Sequence, residues 1–428
     1  AFGGFSLGAV TTWYQFIYGL DYIQYFLPMS GDCWIMGTYG GLYQPVETVD
    51  YLEQVVSDGG WSADDFYIYQ GIGTDDPIWD QTDSQIQEML TRDLFTADAL
   101  HYAIIQDGRH DIDACERYLY HALPRFFGAE EGAHVEFEPV TRNTLVRDVM
   151  DDPAFGDYGR LLFPVGRTIP NDMTLENVGD VLVWYNDIDP DKTVEIVNTL
   201  GERAASGDTV FYDIYTDEEK AADPDKEDTG LFFFRGDPGG KTAICNAGGG
   251  FVYVGAMQDS FPHALELSKQ GYNAFALIYR PGAQTACEDL ARAISFIFDH
   301  AGELEVDTRR YSLWGGSAGA RMAAWLGTYG PAAFGGKELP RPGAVIMQYT
   351  GHSDYAGDDP PTFACVGEND GIAGWRTMER RIRAMDALGI PTEFHHYPGL
   401  GHGFGLGTGT AAEGWLDQAV DFWEGQME

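Results

Sequence analysis

Gly315-Gly316-Ser317-Ala318-Gly319 follows a short apolar run at 311–314 and precedes small residues at 318–326 that suit a helix. A G-x-S-x-G sequence between strand and helix forces a tight turn that lifts the serine hydroxyl above the sheet. Gly315 and Gly319 leave room where a side chain would crowd the strand or the helix. A serine hydroxyl is a weak nucleophile near neutral pH, so it needs a base and a group to orient that base. Candidates follow in order along the chain. Asp370 comes just after the run at 362–366, and His402 after the run at 392–396, within Gly401-His402-Gly403. Both fall beyond the carboxyl ends of expected strands, where an open α/β sheet forms its crevice. His402 is expected as general base and Asp370 as the carboxylate that holds its tautomer, with Glu368 as rival acid. Read without chemistry, Asp370 caps a loop and His402 lies on the surface.

The intermediate of acyl transfer needs donors for its oxyanion. Ala247-Gly248-Gly249-Gly250-Phe251 follows a strand-like run at 242–245, and its glycines let backbone amides approach closely. The Gly249 or Gly250 amide, joined by that of Ala318, is the expected pair. The run lacks the Gly-Lys-Ser/Thr ending of a phosphate loop, and no G-x-G-x-x-G occurs there. Phe251, Tyr253, Trp314 and Trp325 are candidate aromatic walls for an acyl or sugar group, although such residues more often fill a core. A metal is not expected. His395 and His396 are adjacent, so on a strand they point to opposite faces. The acidic stretch 187–192 lacks the glycine and glutamate of a calcium loop and reads as a turn.

These side chains need elements to carry them. Runs at 210–215, 231–234, 242–245, 273–279, 311–314, 344–348, 362–366 and 392–396 read as strands. Helices are expected at 264–270, 285–300, 318–326, 377–388 and 411–423, and an acidic surface loop at 217–228. Short apolar strands alternating with helices predict an α/β fold whose mostly parallel sheet is covered by helices. The 428 residues leave room for more than one core. A seam is expected near 127–132, after a helical period at 114–127, giving domains 1–130 and 131–428.

Sixty-seven Asp+Glu against 26 Lys+Arg give a formal net charge of −41. That surface repels phosphate backbones and anionic lipid, which argues against a nucleic-acid partner. Arg280 or Arg321 is placed to reverse the sign locally, beside a pocket. No apolar run approaches the roughly 18 residues of a membrane span. Cys33, Cys115, Cys245, Cys287 and Cys365 show no paired spacing, so buried free thiols are expected. The chain opens on Ala1 without initiator Met or leader pattern and reads as a fragment or a processed chain. Cytoplasmic and secreted origins both stay open.

Together, residues 245–251, 311–319, 367–370 and 401–405 resemble the α/β-hydrolase superfamily, close to its bacterial carbohydrate-esterase and feruloyl-esterase-like members. The resemblance runs over roughly residues 140–428. It implies cofactor-free hydrolysis of a carboxylic ester through an acyl-enzyme, with acetyl or feruloyl groups on plant polysaccharides or oligosaccharides as substrate. Asn246-Ala247 departs from it, since many lipase-like relatives carry a histidine before the glycines. A broad lipase or peptidase with the same triad is the alternative within enzymes. A noncatalytic carbohydrate-binding or scaffolding protein is the alternative outside them.

A second set stands at the front. Gly4-Phe5-Ser6-Leu7-Gly8 is another G-x-S-x-G, followed by helix-compatible residues 9–16. Downstream come Gly73-Thr74-Asp75-Asp76-Pro77 and Gly108-Arg109-His110-Asp111. With Tyr25-Phe26-Leu27-Pro28-Met29-Ser30-Gly31, they resemble the latter half of an esterase D-like or feruloyl-esterase module. That match implies Ser6, Asp76 and His110 as nucleophile, acid and base, with Asp75 as rival acid. Only five residues precede Ser6, and residues 1–130 hold no early strands or oxyanion loop. A preceding segment, a partner chain or a different packing is expected to cover the resulting sheet edge.

Overall fold

Runs of β-branched and aromatic residues form twelve strands in a computed structural model that describes residues 1–96, 99–105, 108–127, 137–186 and 188–427. The chain divides into two units, Ala1–Ala133 and His134–Glu428. Beyond residue 127, the expected seam lies outside the described residues, as does Asp187 of the acidic stretch.

The first unit holds β1 (Phe2–Phe5), β2 (Tyr25–Met29), β3 (Tyr67–Gly73) and β4 (Leu100–Ile105), paired in parallel in that order. Successive side chains take opposite faces. Phe26 and Ile68 pack with Trp13, Phe16, Leu52 and Ile86, whereas Leu27 and Tyr69 pack with Tyr118 and Phe126. Helices Leu7–Gly19, Pro45–Gly59 and Trp79–Met89 therefore cover one face, and Ile112–Phe127 the other.

The second unit holds β5 (Phe211–Tyr212), β6 (Gly230–Phe234), β7 (Lys241–Asn246), β8 (Asn273–Ile278), β9 (Asp307–Gly316), β10 (Ala344–Gln348), β11 (Thr362–Gly367) and β12 (Thr392–Tyr397). Their order across the sheet is β12-β11-β10-β9-β7-β8-β6-β5. Only β6 runs against its neighbours; the other described pairs are parallel. Interior strands such as β6 and β8 are buried along their whole length. That is why they read as unbroken apolar runs rather than alternating ones. The covering helices include Phe261–Lys269, Ala283–Asp299, Ala318–Tyr329, Trp375–Asp386 and Trp415–Glu424.

Three expectations change. The strand expected at 210–215 shrinks to the two residues of β5, because its pairing with β6 is limited to Phe211–Phe232 and Tyr212–Leu231. The stretch 217–228 is helical rather than a loop. Thr216 and Glu219 cap helix Asp217–Ala222 reciprocally, and Pro224 opens the short 3-10 turn Pro224–Asp228. The last helix begins at Trp415, since Gly414 sits at φ 86° just before it.

Candidate active site

β9 ends in the tight turn from which helix Ala318–Tyr329 departs. Ser317 is held at φ 52°, ψ −113°, a backbone region that costs a residue with a β-carbon about 1–3 kcal/mol. Both neighbouring strands hold it there. The Ser317 N–H donates to the Gln348 carbonyl at the end of β10 at 3.0 Å. On the other side, a Cβ on Gly319 would lie 2.0 Å from the Asn246 carbonyl oxygen of β7. A Cβ on Gly315 would lie 2.3 Å from the Gly319 carbonyl carbon, so both glycines are required for the turn to close.

The loops after β11 and β12 bring up the partners. His402 Nε2 lies 3.0 Å from Ser317 Oγ, and Nδ1 lies 2.8 Å from Asp370 Oδ2. The other Asp370 oxygen accepts the N–H groups of Ile372 and Ala373 at 2.8 and 2.7 Å. The Asp370 side chain is fully buried and that of His402 is 6% exposed. An ionised carboxylate only accepts, so Nδ1 carries the proton and Nε2 is free to accept from the serine hydroxyl. Glu368 turns elsewhere and meets His396 Nδ1 at 2.8 Å. Asn186 steadies the base loop: its N–H donates to the Gly403 carbonyl at 3.0 Å and its amide to the His402 carbonyl.

Gly249 and Gly250 adopt φ 127° and 64°. Among the described residues the amides of Gly249, Gly250 and Ala318 donate to no acceptor. The Gly248 amide, by contrast, is taken by Asp259 Oδ2 at 2.7 Å. The loop also abuts the nucleophile, since a Cβ on Gly248 would lie 2.8 Å from Ser317 Cβ. The result is a serine, an imidazole, a carboxylate and unpaired amides at one end of the sheet, a set able to carry out acyl transfer.

The aromatic walls are partly revised. Phe251 is half-buried and stacks on Trp325, ring centroids 6.3 Å apart. Trp314 is buried on β9 between Trp415 and Trp423, with its indole N–H on Ser312 Oγ, so it meets no substrate. Tyr253 is buried as well, its hydroxyl donating to the Val183 carbonyl and its ring stacked on Trp184. Arg280 supplies no free positive charge, being paired with Asp289 and Asp223. Arg321 makes no ion pair among the described residues and lies over Trp325. All five cysteines are free, and only Cys115 is less than buried. Among the described residues no group of three His, Cys, Asp or Glu side chains is arranged to hold a metal.

Asp259, Tyr185, Tyr349 and Asn186 escaped the sequence reading because they belong to no motif. One signal was present: Asp259 is an acid inside the apolar stretch that follows the glycines. Burial pushes its carboxyl up to about 6.

The first unit repeats much of this geometry. Ser6 sits at φ 59°, ψ −118° after β1, and its N–H donates to the Met29 carbonyl of β2 at 2.9 Å. A Cβ on Gly4 would lie 2.5 Å from the Gly8 carbonyl carbon. His110 Nδ1 meets both Asp76 oxygens at 3.0 Å, while Asp76 Oδ1 accepts the Ile78 N–H. Asp76 rather than Asp75 is therefore the acid beside the imidazole. No hydrogen bond joins His110 to Ser6 among the described residues.

Eight strands in the order found, the second antiparallel and the fifth ending at a strained serine, define the larger unit as an α/β-hydrolase fold. Residues 239–338 match the family model BD-FAE. The match spans the glycine loop and Ser317 but stops short of Asp370 and His402. Endo-1,4-beta-xylanase Y of Acetivibrio thermocellus is 31% identical over 133 residues, 29% of this chain and 12% of the xylanase. The chain thus spans only a small part of that relative. An acetyl ester-xyloside bifunctional hydrolase from Caldicellulosiruptor lactoaceticus is similar at 21% identity and a TM-score of 0.41, over 46% of this chain and 88% of its own. An esterase from Thermogutta terrifontis is similar at 21% identity and a TM-score of 0.40, over 45% and 85%. Among the described residues no helix is long and apolar enough to cross a membrane.

Proposed function

We propose that the protein is a serine carboxylic-ester hydrolase that removes acetyl or feruloyl groups from plant polysaccharides or oligosaccharides through an acyl-enzyme. The observation that carries this reading is the unbroken relay from Ser317 Oγ through His402 to Asp370, at 3.0 and 2.8 Å, beside unpaired amides. Ser317 gives its proton to His402 Nε2 as its oxygen attacks the ester carbonyl. The negative charge that develops falls to the amide of Gly249 or Gly250 and that of Ala318. As the tetrahedral species collapses, His402 returns the proton to the leaving alkoxide and the acyl group stays on Ser317. Water, deprotonated by the same imidazole, then releases the acid. The saccharide part of the reading draws on the family match and on the similarity to a xylanase.

A pulse of small acetyl, feruloyl and longer aliphatic esters, followed by peptide mass mapping, tests the reading. Acyl mass is expected on the Ser317 peptide, and S317A is expected to lose both that adduct and at least about 1,000-fold in kcat. Normal turnover by S317A would overturn the assignment. Preference for long aliphatic esters would favour a lipase instead.

The elbow angles of Ser6, so near those of Ser317, support a second reading. Ser6, Asp76 and His110 form the nucleophile, acid and base of another ester-cleaving site. Strands added beside β1, from a further segment or a partner chain, would supply its oxyanion amides. The same mapping experiment reads the Ser6 peptide. Acyl mass there supports the second site, and its absence while Ser317 acylates counts against activity of Ser6 in this chain.

A further inference from the structure

The acyl-transfer steps above leave one buried carboxylate unused. Asp259 is 2% exposed. Its Oδ2 accepts the Gly248 N–H at 2.7 Å and the Tyr185 hydroxyl at 3.0 Å, and its Oδ1 accepts the Tyr349 hydroxyl. Missing side chains make the room. A Cβ on Gly316 would lie 2.2 Å from Oδ1, and one on Gly248 2.9 Å from Oδ2. One carboxylate therefore touches the strand end that carries Ser317 and the glycine loop. Through Tyr349 it also reaches the surroundings of His402, whose ring lies 5.0 Å from that tyrosine's.

A buried carboxylate is costly unless its oxygens are paired, and here three donors meet them. What it holds in return is the first of three consecutive glycines. A glycine run has the greatest backbone freedom of any sequence, so its amides lose their aim unless something outside the run restrains them. Asp259 restrains the Gly248 N–H, and the Gly255 N–H restrains the Gly248 carbonyl at 3.0 Å. With that residue held at both ends, the next two amides are the ones left without partners.

We propose that Asp259 is a positioning residue for the oxyanion donors. Held by Tyr185 and Tyr349, it fixes the start of the glycine loop so that the Gly249 and Gly250 amides stay aimed at the developing charge. The proposal rests on the hydrolase reading of Ser317. Asp259 touches no substrate and acts through the loop.

The test compares wild type with D259N, D259L and the Y185F/Y349F double variant. Each is assayed for kcat and KM on p-nitrophenyl acetate and for the rate at which a phosphonate labels Ser317. The Asn side-chain oxygen still accepts the Gly248 N–H, so D259N is expected to lose about tenfold in kcat. D259L is expected to lose on the order of 100-fold, the scale of a lost oxyanion donor. KM should stay within about twofold throughout, and phosphonylation should slow by the same factor as kcat. A merely structural role would shift melting temperature without separating kcat from KM. If D259L does not fold, D259N and the double variant carry the same expectation. Unchanged kcat in those two, or a rise in KM at unchanged kcat, overturns the proposal. Failure of wild type to label at Ser317 overturns the hydrolase reading itself and this inference with it.

Discussion

Asp370 uses its two oxygens for different tasks. One caps the turn through the Ile372 and Ala373 amides and the other receives the His402 Nδ1 proton. D370N separates the two, because the remaining oxygen keeps the cap while an amide N–H faces the imidazole and favours the wrong tautomer. It is expected to lower kcat by about 10³–10⁴-fold with an unchanged circular dichroism spectrum. E368Q, two residues away but paired with His396, should leave kcat within about twofold. Similar losses in both variants would contradict this division of labour. Asp259 shows the same economy at another carboxylate, with one oxygen on a tyrosine and the other shared between a loop amide and a second tyrosine.

The two serine turns differ in what surrounds them. β9 lies between β7 and β10, so the elbow of Ser317 is pressed from both sides. β1 has β2 on one side and ends its sheet on the other. The equivalent glycines report the difference: a Cβ on Gly319 meets the Asn246 carbonyl oxygen at 2.0 Å, whereas one on Gly8 meets nothing within 4 Å. G319A is therefore expected to destabilise the second unit by roughly 1–3 kcal/mol or more. G8A, at an uncrowded helix position, should be neutral or stabilising by up to about 1 kcal/mol. Denaturant midpoints decide between these outcomes, and a loss for G8A as large as for G319A would show that the Ser6 turn is equally confined.

Across the whole molecule, burial of titratable groups sets how stability responds to pH. Burial lowers His101, His263 and His352 to about 4, below the ordinary value near 6.5. Between those values the unfolded chain binds more protons, so stability rises with pH and is lost as pH falls from about 6.5 towards 4. Asp259 acts in the opposite sense. Its pKa is raised by burial to about 6, so its contribution is greatest below its unfolded value and is lost as pH rises through 6. Burial raises Asp32 and Asp289 in the same sense as Asp259, but the three histidines titrate across the whole span, and the expected net result is a melting temperature that falls between pH 7 and pH 4.5. Replacing His263 or His352 with glutamine should flatten the slope, whereas D259N should steepen it. A melting temperature that rises on acidification would contradict this balance.

Much of this protein was legible one short window at a time. Strand and helix runs, the strand–turn–helix setting of Ser317, and the order serine, aspartate, histidine all depend on neighbours within a few residues, where apolar periodicity and glycine sterics act. Ser6, Asp76 and His110 could be named that way too, though among the described residues hydrogen bonds join only Asp76 and His110. Choices that depend on approach across the sheet were not legible. Asp370 and Glu368 leave the same strand end two residues apart, and only the packing of the loop after β12 decides which one meets His402. Trp314 and Phe251 are both aromatic, yet a position on a central strand covered by helices buries the first, while a loop position leaves the second half-open. Asp259 lies 58 residues before Ser317 and becomes its neighbour only because β7 and β9 pair side by side. Local spacing records which groups a chain carries; distances of 2–3 Å between remote segments arise from packing, which no single window of sequence contains.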